Sequence, residues 1–395
     1  MDSSILIIVL SLLVLISYAF DLFSSRFKIP SMLLLLLLGG LTRQATGYFG
    51  VQVPYITTIL PTLGTLGLIL IVLEGGLDLE LHSEKLSVLR RTLLASLLAI
   101  IGATLIMAGL LYLLLNDSFY HCLVAALPFS IISGALAVPG VSNLSDGQGE
   151  FIVYESAFAS ILGVLAYNFL LLCRESVWSA VWLFTRDTLI MALISLGCCF
   201  LLLYLISRIN HRIKFLPIIS VLFLVYAVAE LNHLSSLLLI LIFGLFLNNT
   251  ELFIRGRLSR ILKNDLFEKE LDQLKNLTAE GAFVVRTFFF LIFGYAAVPG
   301  DLIDTDALIV SALFALVIIT WRWLTLRLTY QGTSTPLLWI APRGLITILL
   351  YLNIPEDLRL LGFREGIPML VLVFSSLVMM AGVLSYKPAS GGNGT

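Results

Sequence analysis

One carboxylate falls inside an apolar stretch that is long enough to cross a lipid bilayer. Glu155, with Ser156 beside it and Ser160 about one helical turn later, belongs to the mostly apolar segment 151–172. Burial in hydrocarbon penalises the charged form of a carboxyl group, so Glu155 must be paired, bind a cation or take up a proton. The pattern therefore predicts either a site for cations and protons or a structural ion pair with an arginine.

The composition places this carboxylate in a membrane protein. The chain has 395 residues, of which 59% are hydrophobic and only 12% charged, and its mean hydropathy is +1.02. These values exclude a soluble globular protein and predict an all-α, polytopic membrane protein. Hydropathy separates about thirteen transmembrane helices. Their approximate limits are 4–23, 29–49, 54–77, 92–115, 121–140, 150–172, 188–207, 215–230, 234–248, 279–298, 306–326, 335–353 and 366–385.

The basic residues predict how the chain is oriented in the membrane. Seventeen Lys and Arg residues, Arg322 among them, fall in or beside the connections on one side, against five on the other. Because positive charge is retained in the cytoplasm, this bias places the N-terminus outside the cell membrane and the C-terminus in the cytoplasm.

Two further arginines fall within spans and are candidate partners for a buried carboxylate. Arg286 lies in the tenth span and Arg343 in the twelfth. A cation facing lipid is costly, so both side chains should face the protein interior, with Glu155 or Glu74 as an acidic partner. The alternative for Arg343 is a side chain that reaches out to the membrane surface.

Helix-breaking residues interrupt two of the predicted spans. The fifth span is interrupted over residues 133–140, which end in Pro139 and Gly140, and the twelfth over residues 341–344, which contain Pro342 and Gly344. The two spans are seven apart, an odd offset that predicts inverted repeats, and secondary transporters bind substrates at such breaks. The alternative is a pair of ordinary proline kinks.

Four motifs resemble those of the monovalent cation/proton antiporter superfamily, the sodium/proton exchanger-like proteins. They are Leu73-Glu74-Gly75-Gly76-Leu77-Asp78-Leu79, Tyr154-Glu155-Ser156-Ala157-Phe158-Ala159-Ser160, Thr287-Phe288-Phe289-Phe290-Leu291-Ile292-Phe293-Gly294 and Pro342-Arg343-Gly344. The resemblance covers nearly the whole chain. It implies the antiporter fold, with inverted repeats and two broken helices, and an elevator-like movement of one domain in a homodimer.

The resemblance also implies a domain organisation within a single integral membrane domain, residues 1–386. Residues 1–90 and 215–300 would form a dimerisation panel, and residues 91–207 and 305–386 a core transport domain. The polar connection 249–278 carries leucines at helical spacing and predicts a cytoplasmic amphipathic connector. Residues 387–395 form a short tail rich in glycine.

One departure from the family pattern bears on function. The pattern has an Asn-Asp pair where this chain has Ala159 and Ser160, so one expected carboxylate is missing. The sequence predicts electroneutral exchange of sodium or potassium for protons at Glu155, Ser156 and Ser160. There are two alternatives. One is a non-exchanging homologue that acts as a membrane sensor, and the other is a carrier of an anion or small solute that is attracted by Arg286 and Arg343. No enzymatic motif, cofactor, nucleic-acid partner or metal other than the transported cation is predicted.

Overall fold

The computed structural model describes most of the chain. Within most predicted spans, only the ends lie outside the described residues. The described residues are 11–20, 22–23, 29–48, 56–81, 85–137, 144, 146–174, 177–208, 215–232, 236–249, 265–332 and 335–385.

Helices occupy every one of the predicted spans. In chain order they are α1 (Ser11–Phe20), α2 (Ser31–Tyr48), α3 (Ile56–Asp78), α4 (Leu86–Leu115), α5 (Phe119–Ser130), α6 (Gly134–Ala137), α7 (Asp146–Leu172), α8 (Val177–Arg208), α9 (Phe215–Leu231), α10 (Ser236–Asn248), α11 (Asp265–Ala296), α12 (Pro299–Ile303), α13 (Thr305–Thr329), α14 (Thr335–Trp339), α15 (Leu345–Leu352) and α16 (Ile367–Ser385). Within the described ranges, seven helices are long and apolar enough to cross a membrane, and four more are shorter apolar helices. The prediction of an all-α, multi-pass membrane protein is confirmed.

The fifth and twelfth spans are each built from two helical pieces. Helix α5 ends at Ser130, residues 131–133 are not helical, and α6 follows. Helix α14 ends at Trp339, residues 340–344 are not helical, and α15 begins at Leu345. The interruption predicted at Pro342 and Gly344 is therefore present. In the fifth span the chain leaves the helix at Ile131, earlier than predicted, and Pro139 and Gly140 lie outside the described residues.

The chain divides into two compact units, the first of which contains both broken spans. It comprises Met1–Gly67, Arg91–Ala159 and Val284–Thr395. Close helix packing in this unit depends on glycine: a side chain at Gly39 would meet the backbone of Leu291, and one at Gly294 would meet that of Leu36. Small residues let α2 and α11 approach backbone to backbone, as is common where helices pack in membranes.

The second unit comprises Leu68–Arg90 and Ser160–Phe283. Helix α3 meets α10 at Gly76 and Gly244, where a Cβ on Gly76 would lie 3.0 Å from the Leu241 carbonyl oxygen. Helix α8 packs along α10, and the Ser195 hydroxyl donates to the Leu239 carbonyl oxygen over 3.3 Å. This unit is thus held by small residues and isolated side-chain hydrogen bonds.

The predicted panel, core and connector do not coincide with these units and stay predictions. Helix α11 runs without a break from Asp265 to Ala296, so residues 265–278 continue into the tenth span. The rest of the predicted connector beyond Asn249, residues 250–264, and the tail, residues 387–395, lie outside the described part of the chain.

Candidate functional site

Glu155 makes a buried, bidentate ion pair with Arg322. Nη1 and Nη2 of Arg322 donate to Oε1 and Oε2 of Glu155, each over 3.0 Å. The two side chains are only 1% and 4% exposed, respectively. Parallel N–H···O bonds between a guanidinium and a carboxylate are among the strong, geometrically specific hydrogen bonds in proteins. Both carboxylate oxygens are thus engaged by one guanidinium group.

Arg322 makes the bidentate pair for which the sequence offered Arg286 and Arg343 as candidates. Arg322 was assigned to the cytoplasmic side, since it lies near the end of the eleventh span. In the structure α13 continues to Thr329, and Arg322 is buried. The signal available in the sequence was a basic residue inside the predicted limits 306–326 of an apolar span.

Arg322 and Ser96 connect the Glu155 segment of α7 to three other helices. Nε of Arg322 donates to the Leu337 carbonyl oxygen of α14 over 2.9 Å. The Ser96 hydroxyl of α4 lies within hydrogen-bond distance of two carbonyl oxygens, that of Glu155 at 2.8 Å and that of Thr92 in its own helix at 2.9 Å. The ion pair therefore joins α7, α13 and a half-helix of the twelfth span, while α4 fixes the backbone that carries the carboxylate.

Arg343 is buried too, but the groups to which its side chain donates hydrogen bonds are neutral. Nε donates to the Phe129 carbonyl oxygen over 2.6 Å, and Nη1 donates to the Ala341 carbonyl oxygen over 3.0 Å. Its backbone N–H donates to the Ser375 hydroxyl oxygen of α16 over 3.1 Å. Phe129 lies in the last turn of α5, where carbonyl groups lack helical partners. The Arg343 side chain, from the break in the twelfth span, thus provides a hydrogen bond to a carbonyl group at the end of α5 in the fifth span.

The two broken spans meet at a point that we call the crossing, formed by residues 131–134 and 341–344. The Ser133 backbone N–H donates to the Pro342 carbonyl oxygen over 3.0 Å. Gly134 faces Ser156, since a Cβ built on it would lie 3.1 Å from the Ser156 hydroxyl oxygen. Interrupted backbone at membrane depth is tolerated where it is buried in protein or lines a cavity. Ser156 therefore lies beside the crossing, and Glu155 precedes it on α7.

The remaining predicted residues lie elsewhere. Ser160 is one turn beyond Ser156 on α7, in the part of that helix that belongs to the second unit with Glu74. Arg286 is a half-buried residue of α11. Both oxygens of the Glu155 carboxylate accept from Arg322.

The buried charges at the crossing are unequal. Arg322 and Arg343 supply two guanidinium groups, and Glu155 is the one buried carboxylate among the described residues of the first unit. One carboxylate can exchange a proton for a monovalent cation only when it separates from its guanidinium. Across the described part of the chain, no group of three or more His, Cys, Asp or Glu side chains is placed to hold a metal ion.

Comparison with known proteins shows the family and the fold of this chain. Residues 8–384 match the family model described as sodium/hydrogen exchanger, transmembrane. A structure of the sodium proton antiporter MjNhaP1 from Methanocaldococcus jannaschii at pH 8 matches with a TM-score of 0.72, covering 97% of this chain and 96% of that one at 16% identity. A second structure of that antiporter, from an electron-microscopy map, matches with a TM-score of 0.64 and 16% identity over 98% and 100% of the two chains. At this identity the likeness shows the fold.

Proposed function

We propose that this chain, which belongs to the sodium/hydrogen exchanger family, exchanges a monovalent cation for protons across a membrane. As a member of a family of transporters, it is not an enzyme. The observation that carries the proposal is the position of Glu155, a carboxylate 1% exposed beside the crossing of two broken helices. Intramembrane carboxylates at such breaks serve as ion and proton sites in secondary transporters.

Arg322 is the group with which protons and cations must compete. While the bidentate pair is closed, Glu155 offers no free oxygen to sodium or potassium. Separation of α13 from α7 would open the carboxylate, which then takes either one proton or one cation, with Ser156 as a neutral oxygen ligand. Because each occupant carries one positive charge, exchange through Glu155 is one for one and electroneutral.

A second candidate is a carrier of an anion or small solute, or a sensor that does not exchange ions. The unequal charges at the crossing favour it, since two buried guanidinium groups face one carboxylate. Ser160 also stands where the family pattern has an aspartate. If Glu155 never leaves Arg322, no titratable group remains there to couple cations to protons.

Proton flux in proteoliposomes separates the two candidates. The purified protein is reconstituted with a pH-sensitive dye inside, and sodium, potassium and lithium are added outside in turn. We expect a cation-dependent pH change that is lost in Glu155→Gln and retained in Glu150→Gln, a carboxylate on the same helix about one turn earlier. The double variant E155Q/R322Q removes the pair together and should also be inactive while remaining folded.

Two results would contradict the exchange proposal. One is a folded wild-type protein that gives no response to any of the three cations. The other is exchange that persists in both Glu155 variants, which would place the coupling group elsewhere. A net current driven by a cation gradient would contradict electroneutral exchange alone.

We further propose that the protein is a homodimer in the cell membrane with its N-terminus outside and its C-terminus in the cytoplasm. The dimer is supported by the resemblance to antiporters, and the orientation by the bias of basic residues described above. Light scattering of the purified protein measures the mass of the particle. Labelling of cysteines introduced at the two ends of the chain in intact cells measures the orientation, and equal labelling of both ends would contradict it.

A further inference from the structure

We propose that a small monovalent inorganic anion, such as chloride, binds at the start of helix α15 beside Arg343. This inference goes beyond cation/proton exchange and does not depend on it. Three features of the first unit carry it: a helix end inside the protein, a buried hydroxyl group in its first turn, and a buried guanidinium group whose hydrogen bonds go to neutral carbonyl oxygens.

The helix end is a consequence of the break in the twelfth span. Helix α15 has eight residues, begins at Leu345, and follows Gly344, which has an extended backbone and no side chain that could cap the helix. The first N–H groups of a helix have no partner within it, and their dipoles give that end a partial positive charge. An anion satisfies both, which is why anions bind at helix N-termini.

The second feature is the hydroxyl group of Thr347. Thr347 is fully buried, and its Oγ1 has no hydrogen-bond partner among the described residues. The backbone N–H of Thr347 bonds to the Gly344 carbonyl oxygen, so the residue belongs to the first turn of α15. Because Cα–Cβ bonds in a helix tilt toward its N-terminus, this hydroxyl lies on the side where the helix begins. It can donate one hydrogen bond to an anion.

The third feature is the charge of Arg343, two residues before α15. Its guanidinium is buried and donates to the neutral carbonyl oxygens of Phe129 and Ala341. The carboxylate of Glu155 is already taken by Arg322. A buried charge is stable when it is paired, and one monovalent anion would balance the charges at the crossing.

The nature of these groups selects the anion. The N–H groups, the hydroxyl group and the guanidinium all donate hydrogen bonds, while a bound cation would require oxygen acceptors. The neighbouring side chains Leu345, Ile346 and Ile348 are buried and apolar, which favours a small anion over a large hydrated one.

The test measures anion binding without any transport. Full-length protein, purified in detergent with gluconate as the anion, is titrated with chloride and with nitrate by isothermal calorimetry at constant ionic strength. Thermal unfolding is followed in parallel. We expect saturable binding and a rise of the unfolding temperature with chloride concentration. Thr347→Val should weaken chloride binding by roughly fivefold or more, because one hydrogen bond is lost.

Thr104→Val is the matched control, since Thr104 on α4 also has a buried hydroxyl without a partner among the described residues. It should bind chloride as the wild type does. The proposal is overturned if the wild type shows no saturable chloride or nitrate binding, or if the two valine variants bind chloride equally well. If the wild-type protein binds chloride but shows no cation/proton exchange, the proposed function is refuted and the proposed anion site is retained.

Discussion

The crossing and the interface between α8 and α10 represent two different ways of holding helices together. At the crossing, Arg322, Glu155 and Arg343 make charged hydrogen bonds across broken backbone. Along α8 and α10 the helices are continuous, and Ser195 and Cys199 each bond to a backbone carbonyl of the facing helix. The first arrangement uses charge where the second uses single hydrogen bonds between continuous helices.

The difference between the two regions indicates that the crossing, and not the α8–α10 interface, is the part related to function. Helix association in membranes is driven by van der Waals packing and a few hydrogen bonds, and the α8–α10 interface needs nothing more. Buried charges are costly and contribute little net stability, so their concentration at the crossing is better explained by function than by the needs of folding. The following variants are designed to break or sharpen this contrast.

The largest effect is expected at the ion pair. Arg322→Met leaves the buried Glu155 carboxylate without its partner and should lower the free energy of unfolding by about 3–5 kcal/mol. Chemical unfolding in detergent measures the loss. The double variant E155Q/R322M removes both charges and should recover most of it. If the single and double variants are equally unstable, the loss arises from packing of the arginine and not from the unpaired charge.

A smaller effect is expected from overpacking in the second unit. Gly76→Val adds a side chain where a Cβ would lie 3.0 Å from the Leu241 carbonyl oxygen, and should cost about 1–3 kcal/mol. Gly197→Val on α8 is the control, since a Cβ there has nothing within 4 Å. In thermal unfolding, the wild type and Gly197→Val should have similar unfolding temperatures, and that of Gly76→Val should be lower. The reverse order would mean that close contact does not hold this unit.

The smallest effect compares one hydroxyl group from each region. Ser96→Ala removes the 2.8 Å bond to the Glu155 carbonyl oxygen and should lower stability by about 1 kcal/mol. Ser195→Ala removes a bond of 3.3 Å to the Leu239 carbonyl oxygen and should cost less, because long hydrogen bonds are weak. Both are measured by chemical unfolding, and a larger loss for Ser195→Ala would contradict the contrast drawn here.

Much of the fold could be predicted from the sequence. Hydropathy located the apolar helices of the described chain, because residues that face lipid are predominantly apolar over the thickness of the bilayer. Pro342 and Gly344 located the break in the twelfth span, since neither residue favours a continued helix. In the fifth span the helix ends at Ser130, upstream of the residues that predicted the interruption. The residue at which a helix is interrupted depends on which groups can accept or donate hydrogen bonds to the backbone that leaves the helix. The Ser133 N–H, for example, donates to the Pro342 carbonyl oxygen.

The sequence by itself determined that a carboxylate, Glu155, must be buried in a membrane helix and must find a partner. Only the tertiary structure decided that this partner is Arg322 and that Arg343 bonds to the carbonyl groups of the other broken span. Hydropathy measures how deeply a residue lies along its own helix. It contains no information about the rotation of one helix against another, and that rotation decides which arginine meets the carboxylate.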